Sequence, residues 1–136
     1  MSDFGIIGIG RIGTSMARNM SSKGIIVSLY DKSHNSLAKL KSDYPELESS
    51  LVFDDIYKFI SSISKPRKVL VLVPSGPALE EVISILIKHL DPNDILIDGG
   101  NTNPNVSFKN YQTIKSKNLL YLGMGVSGGV KGVLEG

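Results

Sequence analysis

The sequence predicts an α/β domain in which one parallel sheet is covered by helices on both faces, and three observations carry that prediction. Strand-like and helix-like stretches alternate along the chain, the pattern that a parallel sheet with crossover helices requires. Lys68-Val69-Leu70-Val71-Leu72-Val73 is apolar throughout after its lysine and has strand length, as expected of a central strand buried on both faces. Gly5-Ile6-Ile7-Gly8-Ile9-Gly10-Arg11-Ile12-Gly13 runs a short apolar strand straight into a Gly-x-Gly-x-x-Gly turn that opens a helix.

Phe4 to Ile9 is the first expected strand. Ile12 to Lys23 follows as a helix, with Ile12, Met16 and Met20 at i, i+4 and i+8 on its core face, and Gly24 stops it. Ile25 to Tyr30 is rich in β-branched residues and forms the second strand; Ser36 to Lys41 is a short helix and Leu51 to Phe53 a brief third strand. Asp54 or Asp55 caps the next helix, in which Ile56, Phe59, Ile60 and Ile63 share a face before Pro66 punctuates. Lys68 to Val73 is the fourth strand. A helix then starts at Pro77, where proline's missing N–H costs nothing, and ends near Leu90 ahead of Asp91-Pro92-Asn93. Asp94 to Asp98, a polar helix from Pro104 to Lys117 and a strand from Leu119 to Leu122 complete the pattern. Joined by right-handed crossovers, these strands match a Rossmann-type doubly wound parallel sheet of order 3-2-1-4-5-6, a single domain over residues 1–136.

Composition narrows the function classes. The chain has 136 residues, 41% hydrophobic and 21% charged, which suits one globular domain but is short for an oxidoreductase that must also hold its substrate. A net charge of +2 gives no reason to expect nucleic acid or an acidic membrane as partner. With no cysteine, disulfides, thiolate metal sites and a cysteine nucleophile are excluded. No apolar run approaches the roughly 18 residues that span a bilayer, and the N-terminus lacks the basic and apolar regions of a signal peptide, so a cytoplasmic location is expected.

In an open parallel sheet ligands bind beyond the carboxyl ends of the strands, where this chain carries its glycine-rich and polar motifs. The turn from Gly8 to Gly13 is a dinucleotide-binding fingerprint. Gly8 permits the tight turn, Gly10 lets the backbone approach a pyrophosphate, and Gly13 lets helix and strand pack closely, while helix N–H groups face the negative charge. Asp31 closes the second strand at the spacing of roughly 20 residues where a carboxylate accepts hydrogen bonds from the adenosine ribose. The bland alternative is that Asp31 only caps the following helix. Asp31 repels a 2′-phosphate and favours NAD, whereas Lys32 and Ser33 offer a cation and a hydroxyl to NADP. His34 lies in a polar turn and His89 near a helix C-terminus, without metal-ligand spacing, so no metal site is expected. Asp98 reads as a structural carboxylate ordering the glycines after it.

Ile97-Asp98-Gly99-Gly100-Asn101 and Gly125-Val126-Ser127-Gly128-Gly129, with Val73-Pro74-Ser75-Gly76 upstream and Lys65-Pro66-Arg67-Lys68 entering the fourth strand, resemble the N-terminal domain of the 6-phosphogluconate dehydrogenases over essentially the whole chain. Related 3-hydroxyacid dehydrogenases share the first glycine loop and a Ser-Gly-Gly, but Asp-Gly-Gly-Asn is characteristic of the phosphogluconate enzymes.

The resemblance implies that Gly8, Ile9, Gly10, Arg11, Ile12 and Gly13 bind the pyrophosphate of NAD or NADP, Asp31, Lys32 and Ser33 its adenosine ribose region, and Val73, Pro74 and Ser75 flank the nicotinamide half. Asn101 would touch both cofactor and substrate, and Ser127, Gly128 and Gly129 would receive 6-phosphogluconate. The common NADP-using branch has Asn-Arg followed by Ser or Thr where Asp31-Lys32-Ser33 stand here, lysine at Pro74 and alanine at Gly10; these departures resemble the smaller NAD-preferring branch, whereas Lys65-Pro66-Arg67-Lys68 resembles the common one, which leaves both cofactors open with NAD slightly ahead. In the family, the chain continues into a helix with a lysine base, a His-Asn pair and a glutamate acid, then into a helical domain that makes a homodimer. This sequence stops at Gly136 in a glycine-rich stretch, so it is expected to be the cofactor domain of a longer enzyme, inactive alone. A standalone nucleotide-binding module and a 3-hydroxyacid dehydrogenase relative are the alternatives.

Overall fold

A computed structural model of the chain describes residues 1–74, 76–99 and 108–123, with 34–36, 108 and 109 described by their backbone alone. The strands are β1 (Phe4–Ile7), β2 (Val27–Tyr30), β3 (Leu51–Phe53), β4 (Lys68–Val71), β5 (Ile95–Asp98) and β6 (Leu120–Gly123). The helices are α1 (Arg11–Ser22), α2 (His34–Asp43), α3 (Ile56–Ser61), α4 (Pro77–His89) and α5 (Phe108–Ser116), with a 3₁₀ turn at Pro45–Leu47. The sheet is parallel throughout in the order β3-β2-β1-β4-β5-β6, as the sequence predicts.

Alternating side chains bury both faces. Ile7, Val69 and Val71 enter one core with Phe59, Ile60, Leu79, Ile83 and Leu86 from α3 and α4. Ile6, Leu70, Val27 and Leu29 enter the other with Ala17, Leu40 and Leu47. Each fully buried aliphatic side chain contributes about 1.5–3 kcal/mol relative to exposure, and this two-sided burial fixes the register of the strands. Met16 and Met20, expected in the core, are half-buried and pack against its edge.

Several boundaries shift for reasons visible in the backbone. The first strand ends at Ile7, not Ile9: the Gly8 N–H still donates to the Tyr30 carbonyl (3.0 Å), but Gly8 turns to φ +99° and leads the chain off the sheet. The apolar run predicted to stay in strand through Val73 leaves at Val71, after which Leu72 N donates once more to Ile7 O (2.8 Å). The second strand starts at Val27 because Ile25 N is taken by the α1 carbonyl of Met20 and Ile26 pairs with Asp3 instead. The expected helix at Ser36–Lys41 is longer and is followed by the 3₁₀ turn, which buries Leu47. The start of the predicted helix at Pro104 falls outside the described residues.

Of the two candidate caps of α3, Asp55 is the one used: its Oδ1 accepts from Tyr57 N (2.8 Å) and Lys58 N (3.1 Å). Asp55→Ala is expected to lower stability by about 1 kcal/mol, read as a shift of the urea midpoint at unchanged slope. An unchanged midpoint would remove the cap from the account.

Candidate dinucleotide site

Because the strands are parallel, the carboxyl ends of β1, β2 and β4 open at one edge of the sheet, and the segments that leave them enclose a cavity of about 370 Å³. Its walls are Ile7, Gly8, Ile9 and Gly10 from the first loop, Tyr30, Asp31 and Lys32 from the end of β2, Leu72, Val73 and Pro74 after β4, and Ala78 and Val82 on α4. This size suits a small-molecule pocket: a mostly apolar slot with a few polar groups at its mouth.

Two glycines make the loop possible. At Gly8 the positive φ is one that L side chains rarely adopt, and a Cβ there would stand 2.8 Å from the Leu72 carbonyl oxygen. At Gly13, on the first turn of α1, a Cβ would overlap the Gly8 carbonyl oxygen. The start of α1 therefore lies directly on the end of β1, with its unsatisfied N–H groups directed toward the loop. Gly10 differs, since a Cβ on it would meet no heavy atom.

Asp31 does something that neither sequence reading anticipated. Its Oδ2 accepts from the Ile9 N–H of the glycine loop (2.9 Å) and its Oδ1 from Ser33 N (2.8 Å), so one carboxylate joins the loops that follow β1 and β2. It does not cap α2. An ionised carboxylate has about four acceptor positions, and these bonds leave capacity for further donors.

Tyr30 on the cavity wall lies within the field of several carboxylates. Burial raises the Tyr30 phenol above its ordinary value, and the carboxylates of Asp31, Asp55, Glu81 and Asp54 push it further the same way. Lys32 stands 3.9 Å from Glu81 of α4, both side chains largely exposed. Arg11 lines a second cleft of about 400 Å³ on the other side of the loop, with Ile9, Gly10, Thr14, Ser15, Arg18 and Tyr44. There Arg18 pairs with Glu46 and lies 4.5 Å over the Tyr44 ring.

Of the predicted cofactor residues, the structure gathers Gly8, Ile9, Gly10, Asp31, Lys32, Val73 and Pro74 around one cavity. Arg11 borders the neighbouring cleft, Ile12 and Gly13 form the first turn of α1, and Ser33 meets Asp31 through its backbone. Ser75, Asn101, Ser127, Gly128 and Gly129 lie outside the described residues. Asp98 is buried, and its Oδ2 accepts from Tyr121 O–H (2.9 Å), so its visible role is to tie β5 to β6. Burial, then the bond to Asp98, holds the Tyr121 phenol well above its ordinary value. The lining residues that sequence reasoning missed are Ile7, Tyr30, Leu72, Ala78 and Val82. Their one signal was apolar periodicity, and core residues carry the same signal.

A tight glycine turn at a helix N-terminus, a carboxylate closing the adjacent strand and an apolar slot at the point where strand order reverses define a dinucleotide-binding domain of the doubly wound class. Comparison with known proteins narrows this to a family. Residues 3–136 match the family described as the NAD binding domain of 6-phosphogluconate dehydrogenase, and the chain belongs to that family. The decarboxylating 6-phosphogluconate dehydrogenase of Chlamydia muridarum is 36% identical over 135 residues, covering 99% of this chain and 28% of that protein. The NAD(+)-dependent, decarboxylating enzyme of Bacillus subtilis is 34% identical over 137 residues, 99% of this chain and 29% of its own length. Among solved structures, Plasmodium falciparum 6-phosphogluconate dehydrogenase, determined in apo form and with NADP+ or 6-phosphogluconate, superposes with a TM-score of 0.83 at 34% identity, covering 97% of this chain and 28% of that one. Mycobacterium tuberculosis 3-hydroxyisobutyrate dehydrogenase, at TM-score 0.74 and 20% identity, shares the fold. The chain thus spans a little over a quarter of the relatives it matches. Among the described residues no helix is long and apolar enough to cross a membrane.

Proposed function

We propose that this chain supplies the cofactor half of an NAD-dependent oxidoreductase acting on 6-phosphogluconate. The observation that carries the cofactor choice is Asp31. Its carboxylate is held by Ile9 N and Ser33 N beside the cavity, with acceptor capacity left for ribose hydroxyls and a charge that disfavours a 2′-phosphate. The apolar walls formed by Leu72, Val73, Ala78 and Val82 suit the adenine ring, and the open side of Gly10 suits close approach of a pyrophosphate to the α1 N-terminus. A nicotinamide ring bound beyond Val73 and Pro74 would accept hydride from the substrate's hydroxylated carbon. Asn101 would orient cofactor and substrate together, and the Ser127-Gly128-Gly129 turn would present backbone N–H groups to substrate oxyanions.

The family resemblance assigns oxidative decarboxylation of 6-phosphogluconate to ribulose 5-phosphate, carried out in the cytoplasm by a homodimer. The lysine and glutamate for its proton transfers are not among these residues, so the chain alone should bind nucleotide without turnover. Titration of the 136-residue chain with NAD and NADP tests the reading. Saturable NAD binding, tighter than NADP, is expected; no saturable binding of either would defeat it.

A further inference from the structure

We propose that Glu81, outside the pocket wall, is a cofactor-specificity residue: from the cavity rim it opposes a 2′-phosphate and so selects NAD over NADP, an inference that rests on the cofactor reading above. Ala78 and Val82 both line the cavity, and Glu81 lies between them on α4, one residue before Val82. Its Oε2 stands 3.9 Å from the Lys32 ammonium, the cation on the cavity wall. Glu81, with Asp31, Asp55 and Asp54, is also one of the carboxylates whose charge adds to burial in raising the phenol of Tyr30 on the cavity wall.

A phosphate monoester brings about −1.5 to −2 charges at neutral pH. To use Lys32 it must draw that ammonium from Glu81 and then sit beside the carboxylate left behind. A ribose 2′-hydroxyl carries no charge and meets neither cost. Asp31 also anchors the glycine loop and Asp55 caps α3, whereas Glu81 is largely exposed and pairs with Lys32 alone among the described residues. Glu81 can therefore be changed without disturbing the fold.

The experiment titrates NAD and NADP into the full chain and its Glu81→Gln and Glu81→Lys variants, at low and high ionic strength. The NADP dissociation constant is expected to fall about threefold in Glu81→Gln and about tenfold in Glu81→Lys, with that for NAD within about twofold of the parent. The gain should shrink at high salt, because the interaction is between exposed charges. An unchanged NADP/NAD ratio with NAD still bound, or an equal gain for both nucleotides, overturns the role of Glu81 and leaves the cofactor reading standing. A parent chain that binds neither nucleotide overturns both.

Discussion

Asp31→Ala is expected to weaken NAD binding about a hundredfold or more, because two functions fail together. The carboxylate holds Ile9 N at 2.9 Å and Ser33 N at 2.8 Å, and hydrogen bonds to a charged group are worth about 1.5–3 kcal/mol each, so the glycine loop loses its tether to the end of β2. The ribose loses its acceptor in the same change. Asp31→Asn separates the two in part: the carboxamide oxygen can still accept from Ile9 N and keep the loop tethered, but its NH2 cannot accept from Ser33 N, and the charge is gone. Its NAD affinity should fall about tenfold, less than in Asp31→Ala, and its preference should move toward NADP. Calorimetric titration of the three proteins checks this, and Asp31→Ala binding NAD like the parent would end the tether account.

Gly13→Ala should cost about 3 kcal/mol of stability and abolish nucleotide binding, from the addition of one methyl group. That methyl overlaps the Gly8 carbonyl, and Gly8 cannot retreat because it is itself packed against the backbone of Leu72. Either α1 shifts off the sheet or β1 leaves its register with β4, and both move the loop. Gly10→Ala is the contrasting variant. Its methyl enters open space, so the unfolding midpoint should stay within about 0.5 kcal/mol of the parent and nucleotide binding should persist. Urea unfolding paired with NAD titration distinguishes them; a Gly13→Ala chain with the parent's midpoint would show that the packing has room to yield.

Much of the fold is legible in order and little in extent. Among the described residues, alternating periodicities place all six strands and five α-helices but not the 3₁₀ turn, and the strand order follows from matching that alternation and the glycine fingerprint to the doubly wound fold. Where each strand stops is not local. Leu72 and Val73 are as apolar as Leu70 and Val71, yet β4 leaves the sheet between them because its partner β1 has already turned away at Gly8. The site divides likewise. Gly8, Gly10, Gly13 and Asp31 stand out by spacing, but Ala78 and Val82 look like any apolar pair at i, i+4 until α4 lies over the end of β4.

The sequence by itself determined the class of domain, through glycine spacing and hydrophobic period, and its motifs resemble one family closely enough to name the residues expected to meet a dinucleotide. Only the tertiary structure decided what Asp31 holds and what faces Lys32. Pairing of Ile7 with Tyr30 sets Ile9 beside Asp31, and the crossover that carries α4 over the sheet brings Glu81 within 3.9 Å of Lys32. Both contacts join residues far apart in the chain, whose meeting depends on strand register and packing and so leaves no local trace in the order of residues.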